Sequence, residues 1–111
     1  MVIYNVTVNV ESDAHEKWVK YMREEHIPDV LRTGCFKEAR FTRVMVNEES
    51  GVTYSIQYLC ESVEVLQQYA DHFAPALQKD HKDKFGDKSA AFRTMLEIVD
   101  VFVAENGPAA R

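Results

Sequence analysis

The first strand-like run constrains this chain more than anything after it. Val2, Tyr4, Val6, Val8 and Val10 share one parity, and Ile3, Asn5, Thr7 and Asn9 share the other. A period of two sends successive side chains to opposite sides of a strand. One side here is apolar and has to be buried, while the other is largely polar. A chain that begins in this way is committed to a sheet with one covered face, and the rest of the sequence must supply the covering layer.

Two helical regions supply it. Ser12-Asp13 reads as a helix start, and Asp13 with Glu16 has the form of a capping box. Ala14, Trp18, Tyr21 and Met22 then form an apolar stripe at helical spacing. Pro28 disfavours helical geometry at Ile27, so a break is expected near His26, followed by a short turn over 28–32 that stops at Thr33-Gly34. In the second region Ser62 is placed to cap a helix carrying Leu66, Tyr69, Ala70, Phe73, Ala74 and Leu77. Pro75 should kink or divide that helix, and Phe85-Gly86-Asp87 ends it.

Three more strands are expected. The second covers 36–46, with Ala39, Phe41 and Met45 on one side. A polar, glycine-containing loop over 47–51 turns it into a third over 52–60, with Val52, Tyr54, Ile56, Tyr58 and Cys60 inward. The last covers 91–103. Strand, helix, strand, hairpin, helix and strand make the split βαβ arrangement, and right-handed crossovers then give an antiparallel sheet in the order 4-1-3-2 with helices on one face. The fold class is α+β. With 111 residues there is room for one core, so the expected organisation is a single domain over 1–104 and a loose tail over 105–111.

Composition excludes several classes. At 46% hydrophobic and 28% charged residues the chain suits a globular protein rather than a disordered one. No charged-then-apolar leader precedes the first strand, and no apolar run approaches the roughly 20 residues that span a bilayer, so a cytoplasmic protein without membrane association is expected. A net charge of −5, with acids interleaved among the bases of Lys79-Asp80-His81-Lys82-Asp83-Lys84, argues against nucleic acid and reads as a solvated helix face. RNA-recognition modules of this layout also need aromatics on the uncovered face, whereas Tyr4, Tyr54 and Tyr58 fall on the helix side. Cys35 and Cys60 are isolated and read as small buried side chains. His15, His26, His72 and His81 show no ligand spacing, so neither a metal nor a cofactor is implied. No GxSxG elbow or phosphate-cradling glycine loop occurs.

The candidate functional residues lie where the helices do not. Asn5, Thr7, Asn9, Thr53, Ser55 and Gln57 face away from the core on the central strands. The same parity count adds Arg40, Thr42 and Val44, and then Arg93, Met95, Glu97 and Val99, on the outer ones. Two readings stay open. Either a second copy covers this face, or a cavity forms between two such faces in which Asn5, Thr7, Arg40, Gln57, Arg93 and Glu97 bind a small anionic or polar ligand. The arginines could also simply pair with Glu38 or Glu97 across strands or chains. Glu24-Glu25-His26-Ile27-Pro28 is the one stretch suggesting chemistry. Glu25 and His26 could transfer protons near neutral pH, or both could mark a helix end, with His26 near the negative dipole pole.

Several runs also resemble a family of small bacterial proteins of unknown function, seen largely in Bacteroidetes: 3–10, Trp18 with 25–31, Thr33-Gly34, 51–58, 85–88 and 91–94. The resemblance covers about residues 2–100. It implies a ferredoxin-like domain of the dimeric α/β-barrel type, the superfamily of cofactor-independent antibiotic-biosynthesis monooxygenases and of EthD-like and stress-responsive proteins. His26-Ile27-Pro28 followed by Gly34 is similar to the His-x-Pro and later glycine of EthD-like proteins, with Trp18 standing farther from the histidine than in that pattern. Together these readings lead to a homodimeric small-molecule-binding protein, or a cofactor-independent enzyme acting on a small polar or anionic metabolite, with its pocket between sheet and helices or between the two sheets. The alternative is a non-catalytic interaction or regulatory module whose polar sheet face is filled by its own dimer contacts.

Overall fold

The computed structural model describes residues 1–46 and 50–105. Four antiparallel strands, β1 (Val2–Val10), β2 (Phe36–Arg43), β3 (Val52–Cys60) and β4 (Ser89–Glu97), lie in the order β2-β3-β1-β4. This is the expected ferredoxin-like α+β sheet. Helices α1 (His15–Tyr21), α2 (Ile27–Arg32), α3 (Val63–His72) and α4 (Ala74–Phe85) complete it. Residues 47–49 of the expected hairpin loop and 106–111 of the expected tail lie outside the described residues.

The core is the covered side of the sheet. Val2, Tyr4, Val8 and Val10 of β1 and Tyr54, Ile56, Tyr58 and Cys60 of β3 are buried against Trp18, Tyr21, Met22, Val30, Leu66 and Tyr69. Side chains buried to this degree contribute roughly 1.5–3 kcal/mol each. Tyr4, Phe36, Tyr58 and Tyr69 pack ring to ring, with centroids between 4.8 and 6.0 Å apart. Trp18 has no exposed surface, yet its indole N–H is satisfied by Nε2 of His81 at 2.9 Å. Both cysteines are buried and unpaired.

Several boundaries differ from expectation, each for a local reason. The first helix does not break at Pro28. It passes through a π-helical turn, Met22–His26, in which the N–H of Ile27 reaches back five residues to the carbonyl of Met22. Proline lacks a donor and its ring clashes with the carbonyl four residues earlier, a conflict that a widened turn relieves without leaving helical geometry. His26 is therefore inside a continuous helical rod and not at a helix end. Asp13 does not cap α1, whose N-cap is Ala14 without a side-chain bond; its carboxylate instead takes Lys88 at 2.9 Å. Ser62 does cap α3, accepting from the N–H of Val65 at 3.2 Å. Pro75 divides the second helical region, with Phe73 as the joint.

At the sheet edges, β2 stops at Arg43 and Met45 is almost fully exposed rather than inward. The last strand begins at Ser89 and ends at Glu97, six residues short of 103, and residues 98–104 continue as an irregular arm.

The contrast between the two capping candidates is testable. Ser62→Ala should cost about 1 kcal/mol of stability by urea unfolding. Asp13→Ala should cost under about half of that, because it removes only an exposed ion pair.

Candidate functional site

Strand register decides which face each candidate occupies. Asn5 lies opposite Gln57 and Thr7 opposite Ser55, and Gln57 lies opposite Arg40, so these residues share the face away from the helices. On the other flank Val6 lies opposite Arg93, Tyr4 opposite Met95 and Val2 opposite Glu97. Arg93, Met95 and Glu97 are thus on the helix side, contrary to the parity assigned to them from sequence. In β4 that parity is ambiguous because apolar residues occur on both, and a shift of one residue inverts every side chain. Phe92, Thr94 and Leu96 occupy the open face instead.

The open face is largely self-satisfied. Asn5 donates to Thr7 Oγ1 at 3.2 Å and accepts from Ser55 Oγ at 2.6 Å. Thr42 donates to the carbonyl of Ser55 at 2.6 Å, and Asn9 to Thr53 Oγ1 at 3.1 Å. Arg40 is paired with Glu38 on its own strand at 3.3 Å. Arg40 and Gln57 also border a shallow recess of about 300 Å³ with Ile3, Leu59, Ile98 and Val101.

The helix side holds a different arrangement. A cleft of about 410 Å³ runs between α3 and α4 on one side and β1 and β4 on the other, with Val63, Leu66, Ala70, Pro75 and Met95 among its apolar walls and Glu97 at its edge. Beneath it lies an inner cavity of about 40 Å³, bordered by His26, His81, Met22, Val30 and Ile56. Tyr4, Tyr69, Gln78 and Arg93 belong to both and form the neck between them. At the neck, Nε of Arg93 donates to the Tyr4 hydroxyl at 2.8 Å. Among the described residues no carboxylate lies within ion-pair distance of Arg93. Within the chain, the pairing with Glu97 allowed for in the sequence does not form.

His26 is set into this cavity by the π turn and held by a chain of polar contacts. The Tyr21 hydroxyl donates to Asp80 Oδ2 at 2.6 Å, and Nδ1 of His26 lies 3.3 Å from the same hydroxyl oxygen. Burial first, and then the charge that a protonated His81 would carry, push the imidazole of His26 down to about 4. Burial and the nearby Arg93 guanidinium lower His81 as well. Tyr21 is pushed up by burial and by Asp80, whose own carboxyl is held down by the Tyr21 hydroxyl. Both imidazoles are neutral at pH 7. Glu25 is not beside His26; it is exposed and 3.6 Å from Lys84.

Tyr21, Asp80 and His81 were missed as site residues. Tyr21 read as core, while Asp80 and His81 sat in an apparently solvated charge run. The signal was available, since Leu77, His81 and Phe85 recur every four residues and put His81 on the buried stripe. Among the described residues no three His, Cys, Asp or Glu side chains converge as metal ligands. Nor is any helix long and apolar enough to cross a membrane.

Comparison with known proteins follows the fold. A family model described as a domain of unknown function (DUF4286) matches residues 1–99. No curated protein matches the sequence. Similar solved structures include an ethyl tert-butyl ether D (EthD) family protein from Bacillus halodurans, at 15% identity and a TM-score of 0.63, covering 85% of this chain and 97% of that one. A dimeric ferredoxin-like protein from an uncultured marine organism has 16% identity and a TM-score of 0.69 over 93% of this chain and 98% of that one. An arginine-to-serine mutant of MhuD, with two manganese protoporphyrin IX bound per active site, has 19% identity and a TM-score of 0.68 over 94% and 100%.

The neutral, buried imidazole has a consequence for stability. Its folded value lies below the ordinary 6.5, so the unfolded chain binds the proton more readily and stability rises with pH between the two values. Lowering the pH from 6.5 to 4 should therefore cost roughly 2 kcal/mol from His26, with His81 acting in the same direction. His26→Phe should flatten that part of a urea-unfolding pH series.

Proposed function

This chain belongs to the DUF4286 family of unknown function, and from that premise we propose a homodimeric small-molecule-binding protein whose ligand lies in the cleft between sheet and helices. The carrying observation is Arg93, a guanidinium without a carboxylate partner among the described residues, at the neck of a mainly apolar cleft. A planar fork of N–H donors on apolar walls suits a small metabolite with a carboxylate or similar anion. Two neutral imidazoles below it could serve cofactor-independent acid–base chemistry, in which His26 is the proton-transfer group. The fold's capacity for ligands is supported by the MhuD mutant, which holds its porphyrins at an active site.

In this reading the six binding candidates separate into two roles. Arg93 and Glu97 border the ligand, whereas Asn5, Thr7, Arg40 and Gln57 belong to the face that meets a second copy. The paired polar groups of that face support its being covered, since none of these bonds has to be given up, and each orphaned group would cost about 1–3 kcal/mol. Phe92 and Leu96 add exposed apolar surface beside them, and the arm carrying Val99, Val101, Phe102 and Val103 is exposed as well. The dimeric description of a structural neighbour agrees.

Two measurements test the two parts. Ligand-observed NMR on a metabolite mixture should find a binder lost with Arg93→Ala and retained with Arg40→Ala; a protein with no Arg93-dependent binder would leave the reading without support. Sedimentation at micromolar concentration should show a dimer, shifted to a folded monomer by Phe92→Asp. A monomeric parent protein would contradict it.

A further inference from the structure

We infer that the ligand of this cleft is a hydroxylated carboxylic acid, its carboxylate on Arg93 and its hydroxyl donating to Nε2 of His26. This rests on the small-molecule reading above and adds the chemical class.

Proton counting on Tyr21 leads to it. A phenol has one proton to give, and that of Tyr21 goes to Oδ2 of Asp80 at 2.6 Å. Toward Nδ1 of His26, 3.3 Å away, the phenol oxygen can only accept, so Nδ1 carries the imidazole proton. A neutral ring protonated there presents a bare lone pair at Nε2. His26 borders the inner cavity, and no buried side-chain nitrogen or oxygen among the described residues lacks a partner, so that lone pair is open rather than sealed against apolar atoms. The other imidazole is already engaged, because the Trp18 indole donates to Nε2 of His81. Tyr21 and Asp80 are positioning residues here: they fix which nitrogen of His26 accepts.

Arg93 supplies the second requirement. Its Nε–H is directed at Tyr4, which leaves the two terminal nitrogens for a ligand. Because Arg93 sits at the neck, a carboxylate held there leaves a neighbouring hydroxyl within the inner cavity, whose 40 Å³ admits about one water-sized group. The apolar body then lies along Val63, Leu66, Ala70, Pro75 and Met95. A plain fatty or aromatic acid would satisfy Arg93 and leave Nε2 bare. A neutral alcohol would do the reverse, and an ammonium group would sit beside a guanidinium.

The histidine can be read without any ligand. Ring ¹⁵N shifts of the full chain should show His26 protonated at Nδ1, and Tyr21→Phe should erode that preference. Benzoate, 2-hydroxybenzoate and mandelate, the last two carrying their hydroxyl beside the carboxylate, are then titrated and followed by chemical-shift change. At least one hydroxylated acid should bind about tenfold more tightly than benzoate, as one added hydrogen bond allows. Within Tyr21→Phe, and likewise within His26→Phe, the hydroxylated acids should bind no more tightly than benzoate does to the same variant, and Arg93→Ala should abolish binding of all three. Should His26→Phe fail to fold, Tyr21→Phe carries the comparison. Equal, Arg93-dependent affinity for all three acids would overturn the hydroxyl assignment and leave the small-molecule reading standing. A proton on Nε2 would overturn it in the same way. No binding of any acid to the folded protein would overturn the class itself, leaving the metabolite mixture to judge the broader reading.

Discussion

Strand β1 is hydrogen-bonded along both edges, to β3 on one side and β4 on the other. Its alternation therefore propagates across the sheet, because residues directly opposite in an antiparallel pair share a face. Placing Tyr4 and Val6 against the helices fixes Tyr58 and Ile56 on that side, and equally fixes Arg93 and Met95 there. The position of the site follows from this one register. With Arg93 on the helix side, the cleft gains its cation and the open face loses one.

This explains which parts of the molecule could be read from sequence. The strand order and the buried stripes were legible because both β1 and the helices carry apolar residues at one clean period. β3 was legible to the residue, bounded by Gly51 before it and Ser62 after it. β4 was not, since Phe92 and Leu96 alternate with Ala91 and Met95, and an edge strand exposed on both faces has no parity to betray its orientation. The stop at Glu97 was hidden for a related reason. Val99, Val101 and Val103 continue a strand-like alternation beyond the point where β1 can pair with it.

The site was legible in fragments. His26 stood out by its neighbours, though the sequence paired it with Glu25, which the π turn leaves exposed near Lys84. The residues that do govern it, Tyr21 and Asp80, come from different helices 59 positions apart. No local spacing could bring them together. Asp80 and Lys84 also looked like an ordinary surface pair at i and i+4, and they are one; the carboxylate serves the exposed lysine and the Tyr21 hydroxyl at once. A charge run on a helix conceals such a residue well, because only one edge of it faces inward.

The π turn at Met22–His26 carries an obligation of another kind. It amounts to one residue more than an α-helix of the same length would contain. Removing any single residue from that stretch would let the rod close into regular α-helix, and each position in such a helix advances by about 100°. The Trp18 and Tyr21 stripe would keep its phase with Val30, because the extra residue is already taken up within the turn; what would be lost is the widened backbone that relieves Pro28 and sets His26 at the cavity. Related chains that keep this cleft should thus tolerate substitution in the segment far better than a change in its length.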